Sequence, residues 1–486
     1  MPASTAPTPK SRLQATLWLA GCAALGVALA RLFPDSCWQD GGYHFLFARW
    51  AWVHPQLFVG VWARPLFTTL YSFPALIGYP AAKLFTLAVT LLTAWQTWRF
   101  AEDLKLERAP LTIPFFFLQP SLFIICTDTM TEPTFALVLI IALRLHHHRL
   151  VAASMMVTSL LILARPEGFF VALLWGVWVL SDPRDPRSWR QRLPSTLLLA
   201  GGSLLWWVAA LLITGDPLFI LHNWPASWPV TGTIYGAGAW WSYVVRLPEI
   251  VGPLLIPPFL VGLWRLSRRS EFLGVTIAFL FFFALHTLLR RHGLLGSAGY
   301  PRYFAAVSPA IAIITLAGWN RLAGKSVHLN RALRTCATTM VLLLSGVICF
   351  GYFDGAEWIR EAKAAAEMQT WFAANQRPVQ RLIWSQAYMC ILFDRDPWEN
   401  LTFTRDRERD LAALRDLPDE TLVFWESRFG PKWHGLNAAD FEEAGYELLH
   451  SRDFILKGYL LPRSLFGYGG PRHQEMFLFY KPGSGR

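Results

Sequence analysis

The sequence predicts an α-helical, polytopic membrane protein with about eleven spanning helices and a small soluble α/β domain at its C-terminal end. Three observations predict it. Of the 486 residues, 54% are hydrophobic and only 16% are charged, too little charge to cover the surface of a soluble protein of this length. The apolar residues fall in blocks separated by short basic clusters, and the mean hydropathy is +0.33. Tryptophan is abundant, with 24 residues. Many of them, among them Trp50, Trp52, Trp95, Trp98, Trp206, Trp207, Trp240, Trp241 and Trp319, stand at the ends of apolar runs. An amphipathic indole settles there, at the level of the lipid headgroups.

Taken in chain order, residues 1–12 are expected to form a disordered cytoplasmic tail, because Pro, Ser, Thr and Ala dominate its start. The apolar runs that follow are 13–33, 80–98, 110–127, 133–146, 150–164, 167–181, 194–213, 249–264, 272–289, 303–319 and 335–353. Lipid leaves a backbone no partner outside its own segment, so these runs are helices. Those across 133–181 are short enough to be tilted, re-entrant or merged. The first run contains Ala28-Leu29-Ala30, which looks like a signal-peptidase site. It is as long as a span and longer than a signal core, so an uncleaved first helix is expected.

The basic residues set the orientation. Lys10 and Arg12, Arg99, Lys105 and Arg108, Arg144 and Arg149, Arg184 to Arg192, Arg265, Arg268 and Arg269, and Arg321 to Arg334 lie in alternate loops. By the positive-inside rule these loops are cytoplasmic, as is the N-terminus. An odd number of spans then puts residues 354–486 on the periplasmic or lumenal side. The transmembrane domain, 13–353, has four outer loops on that same side: 34–79, 128–132, 214–248 and 290–302. Beyond 354 charges become dense and apolar runs shorten. Strands are expected at 381–384, 421–425, 446–449 and 476–480, and helices at 411–417 and 438–444.

Several function classes drop out. The net charge of +11 is spread over many short clusters with no nucleic-acid motif beside them, so no nucleic-acid partner is expected. The six cysteines form neither a disulfide framework nor a paired CxxC site. Asp394-Arg395-Asp396 has the DxD spacing of nucleotide-sugar enzymes without their strand-and-phosphate-loop context. His146-His147-His148 reads as a helix end among other inner charges.

The outer loops carry the chemistry. Asp35 and Asp40 stand in the first, with Tyr43 and His44, just before and within a short interfacial helix expected over 43–52. A carboxylate held near a hydroxyl can act as a general base; an Asp ahead of a helix also caps it. Arg64-Pro65 opens a second interfacial helix, where proline loses nothing by lacking an N–H. Asp128 and Glu132 occupy a tight turn between apolar helices, at a depth where acidic groups tend to mark function. Arg165-Pro166-Glu167-Gly168 interrupts an apolar stretch, and the two charges there must be paired or exposed. Arg290, Arg291, Arg302 and Tyr303 flank the last outer loop against the charge rule. Outer cations suit an anionic partner such as phosphate, which an arginine fork binds with two hydrogen bonds.

In their order and sidedness, Asp40-Gly41-Gly42-Tyr43, Arg64-Pro65-Leu66, Thr131-Glu132-Pro133, Arg165-Pro166-Glu167-Gly168 and Arg302-Tyr303 resemble the GT-C superfamily of membrane glycosyltransferases. Protein O-mannosyltransferases and the bacterial lipid A aminoarabinose transferase belong to that group. The resemblance implies a sugar donor carried on a polyprenyl phosphate and a lipid, glycan or protein acceptor. It implies Asp40 as the base, with Asp35 as understudy, and inversion at the anomeric carbon. Arg302, then Arg290, Arg291, Tyr303 and Arg64, would hold the donor phosphate. Asp128 or Glu132 would orient the acceptor or bind a divalent cation, the one cofactor the resemblance leaves open. Arg165, Glu167, Tyr43 and His44 would support the site. The expected setting is a bacterial inner membrane with a periplasmic active site. Two departures leave the substrate subclass open: Asp40 is followed by Gly41 rather than a second acid, and the interfacial helix opens on a single proline. A transporter or flippase of a lipid-linked or anionic substrate is the alternative, although no internal repeat favours it.

Overall fold

The computed structural model describes residues 7–182, 185–225, 236–324, 331–354, 357–456 and 472–483. Thr8 accepts a hydrogen bond from the Ser11 amide at 3.2 Å and Pro9 takes a first-turn position, so the first helix spans Pro9–Leu32. The disordered tail expected over 1–12 is therefore corrected: residues 9–12 are helical, and 1–6 lie outside the described residues.

The chain then turns sharply. The buried Lys83 ammonium, on the helix Tyr79–Asp103, donates to the carbonyls of Phe33, Pro34 and Ser36 at 3.2, 3.0 and 3.0 Å and to Ser36 Oγ at 2.9 Å. A buried ammonium needs such a cradle, and the cradle fixes the path of the loop. Two helices follow, Gln39–Trp50 and Pro65–Ile77, packed on each other. The first begins earlier than the expected 43–52, which takes Asp40 into its first turn.

Five apolar stretches among the described residues are long enough to cross a bilayer: Pro9–Leu32, Trp189–Thr214, Ser270–His292, Pro301–Ala323 and Ala332–Tyr352. Shorter apolar helices accompany them at Pro65–Ile77, Val151–Ala164, Glu167–Ser181 and Pro253–Leu266. Burial sorts them. The apolar window of Pro301–Ala323 is 89% buried and forms the centre of the bundle, whereas those of Pro9–Leu32 and Ala332–Tyr352 are 22% and 17% buried. Against the central helix packs Ile256–Leu266, backbone to backbone. A β-carbon on Gly318 would sit 1.7 Å from the Pro258 carbonyl oxygen, and one on Gly262 1.8 Å from that of Ile314. Membrane helices use small residues for such close crossings.

The single helix expected over 110–127 is broken. Helix Thr112–Phe117 stops at Leu118, and Pro120–Phe123 restarts the chain. Proline disfavours helical geometry in the residue before it, and Gln119 is extended, with ψ 119°. The Gln119 amide repairs the break by donating to the carbonyls of Phe115 and Ser308 at 3.1 and 3.0 Å.

The C-terminal part begins with the helix Glu357–Ala374 and carries a four-stranded sheet: β1 (Arg381–Trp384), β2 (Thr421–Glu426), β3 (Glu447–Leu456) and β4 (Arg472–Tyr480). All four coincide with expected strands, and β3 and β4 run longer. The order is β1-β2-β4-β3, with β1 and β2 parallel and the other pairs antiparallel. The unit rests on the first long loop. Arg49 pairs with Asp394 at 3.2 Å, His54 with Asp396 at 2.7 Å, and Tyr388 donates to Asp35 at 3.0 Å. The DxD spacing thus belongs to a docking clamp.

Candidate active site

Asp40 does not cap its helix. Trp38 is the N-cap residue, extended at φ −72°, ψ 140°, and it caps with no side chain. A distant residue holds this end instead: Asp128 accepts the Trp38 amide at 2.6 Å, together with Tyr79 Oη at 3.3 Å and its neighbour's amide, Thr129 N, at 2.7 Å. Thr129 Oγ1 donates to the Gly41 carbonyl at 2.6 Å. Glycine is required at 41 because a β-carbon would lie 2.4 Å from Asp128 Oδ1. The turn 127–131 therefore clamps the first turn of the Asp40 helix, and the helix dipole favours a carboxylate there. Burial, opposed by the Trp38 amide and Lys83, lifts the Asp128 carboxyl to about 6.

Around Asp40 lies a cavity of about 580 Å³, within the range of small-molecule sites. Three carboxylates and three guanidiniums meet at its wall. Arg302 donates through Nη2 to Asp40 and through Nη1 to Glu132 at 2.8 Å. Arg165 meets the same Glu132 oxygen at 2.7 Å, and its Nε and Nη2 take both oxygens of Glu167 at 3.3 and 2.9 Å. Glu132 opens the helix Glu132–His147. Thr131, at the N-cap position, does not cap with its side chain; its hydroxyl accepts from Arg165 at 3.1 Å. The break between Val151–Ala164 and Glu167–Ser181 points Arg165 and Glu167 at the cavity.

Exposure separates the acids. The Asp40 side chain is 29% exposed, Glu132 0% and Glu167 10%. Asp40 is the one of the three that an incoming molecule can readily touch.

Arg64 lines the cavity from the other side, buried, with its backbone at φ 62° and Nη1 donating to the Val61 carbonyl at 3.0 Å. Burial, and then the charge of Arg165, lowers Arg64 to about 10. His44 stacks on Trp62 at 5.7 Å and leans on Phe67 at 5.4 Å. Burial and the guanidiniums of Arg64, Arg302 and Arg165 push it well below its ordinary value, so it is a neutral imidazole at neutral pH. Tyr43 and Tyr303 also line the wall, and Tyr303 stacks on His286 at 5.1 Å.

The structure brings Asp40, Tyr43, His44, Arg64, Arg165, Glu167, Arg302 and Tyr303 to one cavity, with Glu132 bridging two of its arginines. Four other candidates lie elsewhere. Asp35 faces Tyr388, and Asp128 is buried behind Trp38. Arg290 donates to the Gly236 and Ser297 carbonyls at 3.0 and 3.1 Å, and the exposed Arg291 lies over Trp240. Of the outer loop 214–248, residues 226–235 lie outside the described residues.

Sequence reasoning missed the aromatic walls. Trp38, Trp62 and Tyr300 line the cavity, as do His286 and Asn223. The roof comes from the C-terminal part, which contributes Phe429, Trp433 and His434; the sequence offers 426–431 as a border of the active site only behind a structural turn, and gives no sign of Trp433 or His434. These follow β2 in a loop whose base is tied by Glu426, which accepts the amides of Arg428 and Phe429 at 2.9 and 2.6 Å. The signal was faint: Trp38 and Tyr300 adjoin charged candidates, and the segment after β2 reads first as a structural turn and only second as a border of the active site.

The residues do not fit a divalent cation. Glu132 Oε1 already serves two guanidiniums, Asp40 and Glu167 each face one, and among the described residues no three His, Cys, Asp or Glu side chains converge.

No protein-family profile matches the sequence, and no characterised protein is close enough in sequence to match. Solved structures do match. One of them is ArnT from Cupriavidus metallidurans. Its apo crystal structure superposes with a TM-score of 0.56 at 12% identity, over 94% of this chain and 98% of ArnT. The structure of ArnT bound to undecaprenyl phosphate gives 0.55 at 11% identity over the same shares. The arabinofuranosyltransferase AftD from Mycobacteria gives 0.51 at 15% identity, over 99% of this chain and 40% of AftD. The chain therefore shares the fold of ArnT along nearly its whole length.

Proposed function

We propose that this protein is a membrane glycosyltransferase that moves a sugar from a polyprenyl-phosphate donor to an acceptor hydroxyl, with Asp40 as the base. The observation that carries this reading is the cavity itself, where one reachable carboxylate stands beside buried guanidiniums under aromatic walls. The fold it shares with ArnT, a protein seen with undecaprenyl phosphate, supports the donor class.

The chemistry follows from the placement. The carboxylate takes the hydroxyl proton as the oxygen attacks the anomeric carbon from the face opposite the phosphate, which inverts the configuration. General base catalysis of this kind contributes about 10²–10⁴-fold. Arg302 and Arg64 face the side where phosphate charge develops, and fixed cations in a water-poor site stabilise such charge strongly. Arg165, Glu167 and Glu132 hold this arrangement rigid. The aromatic side chains offer faces for a sugar ring, and Phe429, Trp433 and His434 close the cavity toward the acceptor. On the charge rule the cavity opens on the periplasmic side of a bacterial inner membrane, with the N-terminus cytoplasmic.

The test is transfer of radiolabelled sugar from polyprenyl-phosphate donors in membranes, comparing wild type with Asp40→Asn. We expect transfer by the wild type and a loss of at least about 10²-fold in the variant at equal protein abundance. Near-normal turnover by Asp40→Asn would remove Asp40 as base. No transfer by either protein, across several donor sugars and broad acceptor pools, would favour transport instead.

A further inference from the structure

The two arginines that share Glu132 are held differently, and this inference rests on the donor reading above. Arg165 uses every arm of its guanidinium: Nε and Nη2 on Glu167, Nη1 on Glu132 and Thr131. Arg302 spends Nη1 on Glu132 and Nη2 on Asp40, while its buried Nε donates to no group among the described residues. Its plane lies among rings, 4.6 Å from the centre of Trp38 and 5.3 Å from those of Tyr300 and Tyr303. Stacking holds a guanidinium near the rings while leaving it free to turn in its own plane.

The charges around the cavity also balance. Asp40, Glu132 and Glu167 face Arg64, Arg165 and Arg302, with His44 and His286 beside them. A phosphate entering a balanced and largely buried cluster is costly unless one carboxylate gives up its partner. Glu132 and Glu167 are too enclosed to do so. Asp40, on the open side, is the carboxylate able to yield.

We infer that Arg302 is a shared counter-ion that changes partner during transfer, pairing with Asp40 in the empty cavity and with the lipid phosphate from the moment the donor binds. In the step, the acceptor oxygen forms its bond to the anomeric carbon and its proton passes to an Asp40 carboxylate oxygen. The bond from that carbon to the phosphate oxygen breaks, and its electron pair stays on the phosphate. One negative charge thus leaves Asp40 and one appears on the lipid phosphate, both within reach of one guanidinium, so no second cation has to be recruited. The same pairing restrains the base in the empty cavity, because the Asp40 oxygen that Arg302 holds is not open to an incoming hydroxyl. The donor's own phosphodiester draws Arg302 away and releases it.

The test is equilibrium binding of undecaprenyl phosphate to the purified full chain, in a cycle of wild type, Asp40→Asn, Arg302→Gln and the double variant. Asp40→Asn, although poor in turnover, should bind the lipid phosphate about tenfold more tightly than wild type. That gain should vanish in the Arg302→Gln background. Unchanged or weaker binding by Asp40→Asn, or an equal gain without Arg302, would overturn the shared counter-ion. Failure of wild type and all variants to bind lipid phosphate would instead sink the donor reading. Asp40→Ser takes the place of Asp40→Asn if the latter does not fold.

Discussion

Arg165 and Arg302 end on the same oxygen of Glu132, yet one is bonded on every arm and the other keeps an arm free of any group among the described residues. Arg165 comes from a break between two apolar helices and meets Glu167 two residues later in the chain. That partner is local, the remaining arm of Arg165 is taken by Glu132 and Thr131, and nothing entering the cavity is needed to satisfy it. Arg302 stands in the first turn of the central stretch Pro301–Ala323, and its two partners, Asp40 and Glu132, stand at the starts of helices distant in sequence. It therefore ties Asp40 to the bundle while keeping one donor in reserve. A buried cation that is fully bonded locally resists exchange, whereas one assembled from distant carboxylates can be taken over by a ligand.

Removing the shared carboxylate breaks the comparison altogether. Glu132→Gln leaves two buried guanidiniums short of charge, a defect that costs about 3–5 kcal/mol of stability. Thermal melting should fall sharply and transfer should be lost with it; retained melting would show that Glu132 is not the common support. Smaller, and more discriminating, is the pair Arg165→Lys and Arg302→Lys, since lysine keeps the charge and loses the fork. Arg165→Lys should lower stability by about 1–3 kcal/mol with donor KM little changed. Arg302→Lys should lower kcat/KM for the donor about 10²-fold at nearly normal stability. If the two swap phenotypes, the division of labour is wrong.

The smallest effect concerns Asp128, the carboxylate that resembles Glu132 in sequence but faces the other way. Its carboxyl is lifted from 3.8 to about 6, so between those values the folded protein holds a proton that the unfolded chain has released. Stability drawn from this group then falls as pH rises from about 4 to about 6 and is level above that. Asp128→Asn should lack that slope. Melting curves of both proteins from about pH 4 to about pH 7 check it, and parallel curves would show that Asp128 does not titrate in that window.

Much of the cavity was legible because charge is conspicuous in an apolar chain. Asp40, Glu132, Arg165, Glu167 and Arg302 each interrupt or border an apolar run, and a buried charge needs a partner, so their convergence follows from few physical choices. Asp128 shows the limit of that reasoning. It shares a tight turn with Glu132, but spacing does not say which acid turns back to the Trp38 amide and which turns forward to the arginines. Asp35 and Arg290 were equally conspicuous and are used for holding loops in place. The break at Leu118 was marked by Pro120, although the run around it is apolar enough to hide it. The strands were legible from their β-branched and aromatic runs, whereas the docking of the loop after β2 over Asp40 depends on contacts between residues hundreds of positions apart.

That docking gives the chain an order of assembly. β4 lies between β2 and β3, so β3 joins the sheet only when β4 is in place. The loop carrying Phe429, Trp433 and His434 springs from the end of β2, whose far edge stays bare until then. Asp40 emerges in synthesis well before the lid above it, and the lid is locked by β4, which emerges later still. A chain made only as far as β2 therefore has Asp40 and its arginines but an unroofed cavity, open to water, and the completed sheet acts as the latch that closes it.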